Sequence, residues 1–353
     1  MNFTHLCAIG LASIGLCACT SKPVADKVTP VKVILETDMG NDVDDAMALD
    51  MLFKYAAEGK VEMLGISSNK RDEGSVEFID ALTTWYGAPE LPIGRVENGV
   101  PCDDAVNYAL LAVNMTDSIG MPLFARSHAN DQHVVPSVEM YRKLLAEQED
   151  SAVTIISIGF STNLAQLLDS PADAFSPLDG RELVARKVKN LVMMGGDFEN
   201  NNPADSLERF CEYNIVKDID ASRKVFEQWP TDIVTSPFEV GIDICYPASS
   251  IENDFDSAVP NPVVEAYKVY LPMPYDRPTW DLTSVLYAIE GPGDYFTLSE
   301  PGTITVEPRG GTIFTPEPTG RHRYLMTDSI QKANILQRFH ELLTLKPNNE
   351  SHI

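Results

Sequence analysis

The chain has 353 residues, 44% of them hydrophobic, enough to bury a large α/β core. Its formal net charge is −25, which excludes binding nucleic acid or anionic lipid through charge, since both need a basic surface. A neutral or cationic small molecule is compatible with that balance, and much of the charge can simply solvate the surface.

Residues 1–19 read as a lipoprotein signal. An apolar run over 6–18 is too short to span a bilayer, and Leu16-Cys17-Ala18-Cys19 resembles a bacterial lipoprotein box with Cys19 as the lipidated residue. The leading segment carries no Lys or Arg, a departure from such signals. Residues 20–30 would form a flexible tether, placing the chain in the cell envelope, with the membrane touched only through the anchor. Residues 31–345 then form one domain and 346–353 a tail. Cys102, Cys211 and Cys245 are too few for a disulfide framework, and no Cys-x-x-Cys pair suggests zinc. Small buried packing groups are the role expected of them, with one disulfide left open.

Val31–Thr37 is a β-branched strand, followed by an acidic turn and an amphipathic helix over 44–58. Val61–Ser68 reads as a strand, Val76–Tyr86 as a helix and Leu91–Gly94 as a short strand. A helix over Val138–Glu149 precedes a buried strand at Ala152–Ile158 and a helix starting at Asn163–Leu168. Val188–Met194 is a strand closing on Gly195-Gly196, Ala221–Trp229 a helix and Asp232–Thr235 a strand. Phe296–Arg323 reads as hairpins and Asp328–Leu343 as a final helix. Strands separated by helices predict a mostly parallel central sheet flanked by helices, with a small C-terminal β-hairpin region. Ligands of such sheets bind beyond the carboxyl ends of the strands.

The acidic turn lies at such an end. Asp38, Asp42, Asp44 and Asp45 fall within eight residues, and carboxylates this close repel unless a cation neutralises some of them. A hard divalent cation with oxygen ligands is the economical answer, and calcium suits a carboxylate-rich loop. Alternatively, Asp44 and Asp45 could cap the helix and complement its dipole.

The run Glu36-Thr37-Asp38-Met39-Gly40-Asn41-Asp42-Val43-Asp44-Asp45-Ala46 resembles the signature Asp-x-Asp-Pro-Gly-x-Asp-Asp-Ala of the inosine-uridine-preferring nucleoside hydrolase family. Two residues are inserted, Glu replaces the first Asp and Met replaces Pro. Similar segments follow in order: Gly159-Phe160-Ser161-Thr162-Asn163-Leu164, Met194-Gly195-Gly196, Glu212-Tyr213-Asn214, Asp218-Ile219-Asp220-Ala221, Pro237-Phe238-Glu239-Val240, and Asp281. The resemblance covers about residues 31–345.

It implies a calcium-dependent hydrolase that cleaves the N-glycosidic bond of a ribonucleoside or similar N-riboside. Asp38, Asp45, Asp281 and the backbone carbonyl of Ile158 would ligate Ca²⁺. Asp38 would also be general base toward a water whose pKa the ion lowers. Asp44 would bind the ribose 2-hydroxyl, and Asn69, Glu212 and Asn214 other hydroxyls. Asn202, or its neighbours Asn200 and Asn201, would reach the 5-hydroxyl. The partner is a small nucleoside, and family habit makes a homo-oligomer an open expectation.

Other roles compete at several of these positions. Asn69 could serve a turn, Gly195-Gly196 a tight strand-to-loop bend, and Asp42 a solvated turn. Well-studied relatives carry His where Trp280 stands, as acid for the leaving base. Trp280 could stack on the base or simply pack. His128 and His133 are spare acid candidates. The Trp280 replacement also motivates a rival reading, a non-catalytic ribose- or nucleoside-binding surface lipoprotein. A phosphatase with a strand-end nucleophile is disfavoured, because Glu36 stands where its first Asp belongs. A calcium-loop adhesion module lacks its sixth-position Gly and twelfth-position Glu.

Overall fold

Each apolar run of the chain is followed by an amphipathic one, and in the computed structural model these become parallel strands and the helices that cover them. The structure describes residues 1, 29–101, 106–127, 134–199, 210–255 and 259–346. The signal, most of the tether and tail, Cys19, Cys102, His128, His133 and Asn200–Asn202 lie outside them.

The order begins β1 (Val31–Thr37), α1 (Asp44–Ala57), β2 (Val61–Arg71), α2 (Ser75–Trp85), β3 (Ile93–Pro101), α3 (Tyr108–Val113), β4 (Val134–Pro136) and α4 (Ser137–Glu147). It continues with β5 (Val153–Ser157), α5 (Thr162–Asp169), α6 (Gly180–Lys187), β6 (Val188–Met194), α7 (Tyr213–Lys217), α8 (Ile219–Gln228), β7 (Asp232–Ser236) and α9 (Phe238–Ile242). Next come β8 (Cys245–Tyr246), α10 (Ala248–Asn253), α11 (Pro262–Tyr270), β9 (Arg277–Pro278) and α12 (Trp280–Glu290). Four strands, β10 (Thr297–Leu298), β11 (Gly302–Val306), β12 (Thr312–Pro316) and β13 (His322–Met326), precede α13 (Ser329–Leu343).

The sheet order is β12-β11-β13-β7-β6-β5-β1-β2-β3-β4. From β4 through β7 every pairing is parallel, and β13 adds to β7 in the same direction. Both faces are covered, so the two-residue period of a strand feeds two cores. In β1, Val33 and Leu35 pack with Met47, Leu286 and Phe339, whereas Ile34 joins Leu144, Leu164 and Leu183 on the other face. The β11–β12 hairpin is antiparallel and continues the sheet beyond β13.

Three differences from the expected elements bear on the site. β2 runs to Arg71, so Asn69 sits inside the strand. Helices α11 and α12 form where no helix was delimited. Asn261 accepts from the Val263 and Val264 N–H groups at 2.9 and 3.3 Å, with Pro262 at the first helical position, a strong local start signal. Cys211 and Cys245 are half-buried thiols, not buried packing groups.

The chain order reverses between β1 and β5, which lie side by side. Connections on either side of this pair leave in opposite directions, opening a crevice at the carboxyl ends of these two strands. Asp38 follows β1 and Ile158-Gly159 follow β5, so the two segments meet there by topology.

Candidate active site

A cleft of about 410 Å³, counted with the solvent at its mouth, opens at that crevice. It is lined by Asp38, Asn41, Asp42, Asp44, Asp45 and Ile158 from the first half of the chain, and by Met194, Glu212, Tyr213, Asn214, Phe238, Trp280 and Asp281 from the second. Residues from the beginning of the chain and from its last quarter therefore line the same cleft. The N-termini of α1 and α12 both open onto it, and their dipole ends favour negative charge.

Asp44 and Asp45 open α1 but do not occupy its N-cap, which is Val43 and makes no side-chain cap hydrogen bond. The Asp45 carboxylate instead accepts from the Thr37 hydroxyl. Asp44 Oδ2 accepts from the Asp281 N–H at 3.2 Å, tying the two helix starts together. Asp38 Oδ2 accepts from the Asn41 amide, whose oxygen takes Lys70 Nζ at 2.5 Å.

Asp38, Asp44, Asp45 and Asp281 are only 3%, 1%, 1% and 5% exposed, so little water screens them from one another. Burial, then the Asp38 charge, pushes the Asp45 carboxyl well above the carboxylate range. Asp281 moves the same way through burial and the charges of Asp44, Asp45 and Asp38. Burial raises Asp44 to about 6, with Arg277 opposing the rise. This wall is short of positive charge.

Among the described residues, no three acidic, histidine or cysteine side chains close around one point as a ready-made ligand set. The donor chemistry still fits a hard cation. The donors are all oxygen, the carboxyls are nearly dry, and their mutual repulsion is what a divalent ion relieves.

The profile of the family described as inosine-uridine preferring nucleoside hydrolase matches residues 33–339. The chain belongs to that family. Like its relatives, it is an N-ribosyl hydrolase of the glycosidase class. A pyrimidine-specific ribonucleoside hydrolase, RihA, of Shewanella sp. (strain MR-7) is 24% identical over 256 residues, 70% of this chain and 72% of its own. RihA of Salmonella agona (strain SL483) is 25% identical over 243 residues, 65% and 67% of the two chains. Among solved structures, the plant nucleoside hydrolase PpNRh1 superposes with TM-score 0.67 at 18% identity, over 90% of this chain and all of that one. The purine-preferring ribonucleoside hydrolase from Gardnerella vaginalis gives 0.66 at 16%, over 89% and 98%. At such identity the structures speak to the fold alone.

Within this nucleoside hydrolase, the residues singled out beforehand divide into two groups. Asp38, Asp44, Asp45, Ile158, Glu212, Asn214, Trp280 and Asp281 all reach the cleft. Asn69 does not line it. Fully buried, it donates to Glu36 Oε2 at 2.9 Å, and so does Asn163 at 3.2 Å, in a polar layer beneath the cleft floor. Its nitrogen is thus spent on Glu36, while its Oδ1 has no hydrogen-bond partner among the described residues and lies with Asp38 Oδ1 beside Gly159, at the strand ends where the cleft opens.

Glu212 combines two roles. Its carboxylate takes the N–H groups of Asn214 at 2.8 Å, Ile215 at 3.1 Å and Gly196 at 3.2 Å, capping α7 while facing the cleft. Burial lifts it to about 7 against those donors. Gly196 adopts φ +88°, so a bend that only glycine makes easily is its role. Trp280 packs as well as lines: its indole N–H donates to the Phe238 carbonyl at 3.0 Å, and the rings stack at 5.5 Å.

Arg277, Tyr270, Thr37, Asn41, Lys70 and Phe238 carry no role that the sequence alone reveals. Asp42, expected to be a solvated turn residue, is an ion-pair partner of Arg277 at 2.6 Å. The one available signal was the isolated arginine in Tyr275-Asp276-Arg277-Pro278-Thr279-Trp280-Asp281, in a chain so short of cations.

Proposed function

We propose that the protein is a calcium-dependent hydrolase of ribonucleosides or similar N-ribosides, releasing free base and ribose. The observation that carries this reading is the shared, nearly dry wall formed by Asp38, Asp45 and Asp281, three carboxyls distant in sequence and coupled in charge. Asp38, Asp45, Asp281 and the Ile158 carbonyl would hold the ion. Calcium, when bound, supplies a fixed positive charge and Lewis acidity.

The protein's own groups account for the other steps. Asp44 holds the ribose 2-hydroxyl, and Glu212 and Asn214 the hydroxyls further along the ring, fixing the sugar beside the attacking water. Asp38 accepts that water's proton. As the C–N bond breaks, its electron pair leaves with the base, which takes up a proton from solvent; positive charge builds on the ring until the water oxygen bonds to the anomeric carbon. Surrounding carboxylates stabilise that charge more than the neutral ground state. Phe238, Trp280 and Tyr213 form an aromatic wall at the base end.

Trp280 supports a second reading. Its indole nitrogen is engaged by Phe238, and no histidine among the described residues lines the cleft, so a binder without turnover has a physical basis. Ribose release from a panel of purine and pyrimidine nucleosides, with calcium and with chelator, separates the two. Calcium-dependent product is expected. Saturable binding without product would replace the hydrolase reading.

The segment ending at Cys19 is assigned, within this proposal, as a lipoprotein signal that anchors the domain of residues 31–345 in the cell envelope. Labelled fatty acid should enter the full chain and be lost on Cys19→Ala. Equal labelling of the variant would remove the anchor. Self-association joins the proposal on the family's habit alone, and light scattering on the purified domain decides it.

A further inference from the structure

Relative to the family signature, two residues are added between β1 and α1, and Asp42 is the extra carboxylate they bring. A further carboxylate beside four others costs energy unless a cation meets it. That cation is Arg277, on β9 and only 7% exposed. Its Nη2 lies 2.6 Å from Asp42 Oδ2 and 3.2 Å from Asp44 Oδ1, and Nε is 3.4 Å from the same Asp44 oxygen. Its Nη1 donates at 3.3 Å to the Tyr270 hydroxyl, which donates in turn to Asp42 Oδ1 at 2.6 Å. The flat guanidinium lies 5.0 Å from the Trp280 ring centre and 5.1 Å from that of Tyr270. Arg277 is not among the residues that line the cleft.

One arginine thus touches the inserted loop, the carboxylate that faces the sugar, and the aromatic ring at the base end. Asp44 is held from both sides, Oδ1 by Arg277 and Oδ2 by the Asp281 N–H. We propose that Arg277, braced by Asp42, is a positioning residue that sets the Asp44 carboxylate and the Trp280 ring for the substrate. This inference rests on reading the cleft as a ribose site. A lysine could not replace it: an ammonium has no planar fork to reach both carboxylates and no flat face to lie on the indole.

The test uses the full chain as wild type, Arg277→Met, Arg277→Lys, Asp42→Asn and the Arg277→Met/Asp42→Asn double variant, with ribose release and crystal structures as readouts. Both arginine variants are expected to lose kcat/KM by about 10- to 100-fold, the range for a residue that orients a ligand-contacting group. Lysine gives no rescue, and the double variant is no worse than Arg277→Met, because both changes act through one contact. In the crystals, Asp44 rotates away from Asp281 when Arg277 is lost. Wild-type kcat/KM in Arg277→Met, full rescue by lysine, or an unmoved Asp44 would overturn the proposal. If the wild type releases no ribose from any nucleoside, the hydrolase reading fails, yet the position of Asp44 in the variant crystals still decides this one. Should Arg277→Met not fold, Asp42→Asn carries the test, with Asp44 displaced and a loss of about 3- to 10-fold expected.

Discussion

Asp45→Asn should lower turnover by at least about 1,000-fold, the scale of losing a charged group from the reacting site, and yet make the metal-free protein more stable at alkaline pH. The two effects share a cause. In the fold, burial and the charges of Asp38, Asp44 and Asp42 all disfavour ionised Asp45. A carboxyl whose folded pKa is raised favours the native state at pH below its ordinary, unfolded value, and that contribution is lost as pH rises through the raised one. Metal-free wild type should therefore lose stability from the ordinary carboxylate range upward, with Asp281 adding to the slope. An asparagine carries no charge to desolvate, and its amide oxygen can still accept from the Thr37 hydroxyl.

Denaturant melts with chelator, across pH, should show a flatter profile for the variant and a crossing in its favour at alkaline pH. Calcium should reverse the ranking. An ion that binds only the folded state adds about 2.7 kcal/mol at one hundred times its dissociation constant, and the wild type retains the charge that attracts it. Asp38→Asn should lose turnover on the same scale, with its Asn41 contact leaving the loop in place. A variant that matched wild-type turnover, or a metal-free variant less stable at every pH, would break the link between this acidic wall and function.

The legible part of this architecture was the part written in local chemistry. A β-branched run followed by acidic residues and an amphipathic stretch could hardly be anything but strand, turn and helix, and it placed Asp38, Asp44 and Asp45 at a strand end. The reversal of strand order between β1 and β5 then brought Ile158 and Gly159 to the same crevice, as doubly wound sheets do. Less was legible where a role depends on a distant neighbour. Asn69 sits in the right stretch, but that its amide nitrogen meets Glu36 depends on three extra residues of strand and on the neighbouring Asn163 of α5. Arg277 has no motif around it. Its importance comes from Asp42 and Asp44, more than two hundred residues away in sequence. Phe238 was quoted only as part of a resembling segment, because a phenylalanine carries no sign of the indole it will stack on.

Gly159→Ala is expected to be a strongly damaging single methyl addition at the site, lowering kcat/KM by more than about 100-fold and stability by about 1–3 kcal/mol. The reason is space, not backbone conformation. A Cβ at this position would stand 2.6 Å from the Asp38 backbone nitrogen, 2.7 Å from Asp38 Oδ1 and 2.7 Å from Asn69 Oδ1. None of these can withdraw cheaply. The nitrogen belongs to the main chain where β1 gives way to the acidic loop, and Asn69 is fully buried against Glu36. The methyl group must therefore push β5 away from β1 or turn Asp38 out of place, and either motion opens the crevice on which the site is built. Gly195→Ala supplies the contrast, since the nearest atom to its Cβ is the Ile215 Cδ1 methyl at 3.3 Å, the far end of a flexible side chain. That variant should stay within about 1 kcal/mol of wild type and keep most of its turnover. Kinetics and urea melts of the pair decide the point. Equal, mild effects would mean that the ends of β1 and β5 stand further apart in solution than this structure places them. A selective loss at Gly159 would show that their close approach holds Asp38, the proposed base, in position.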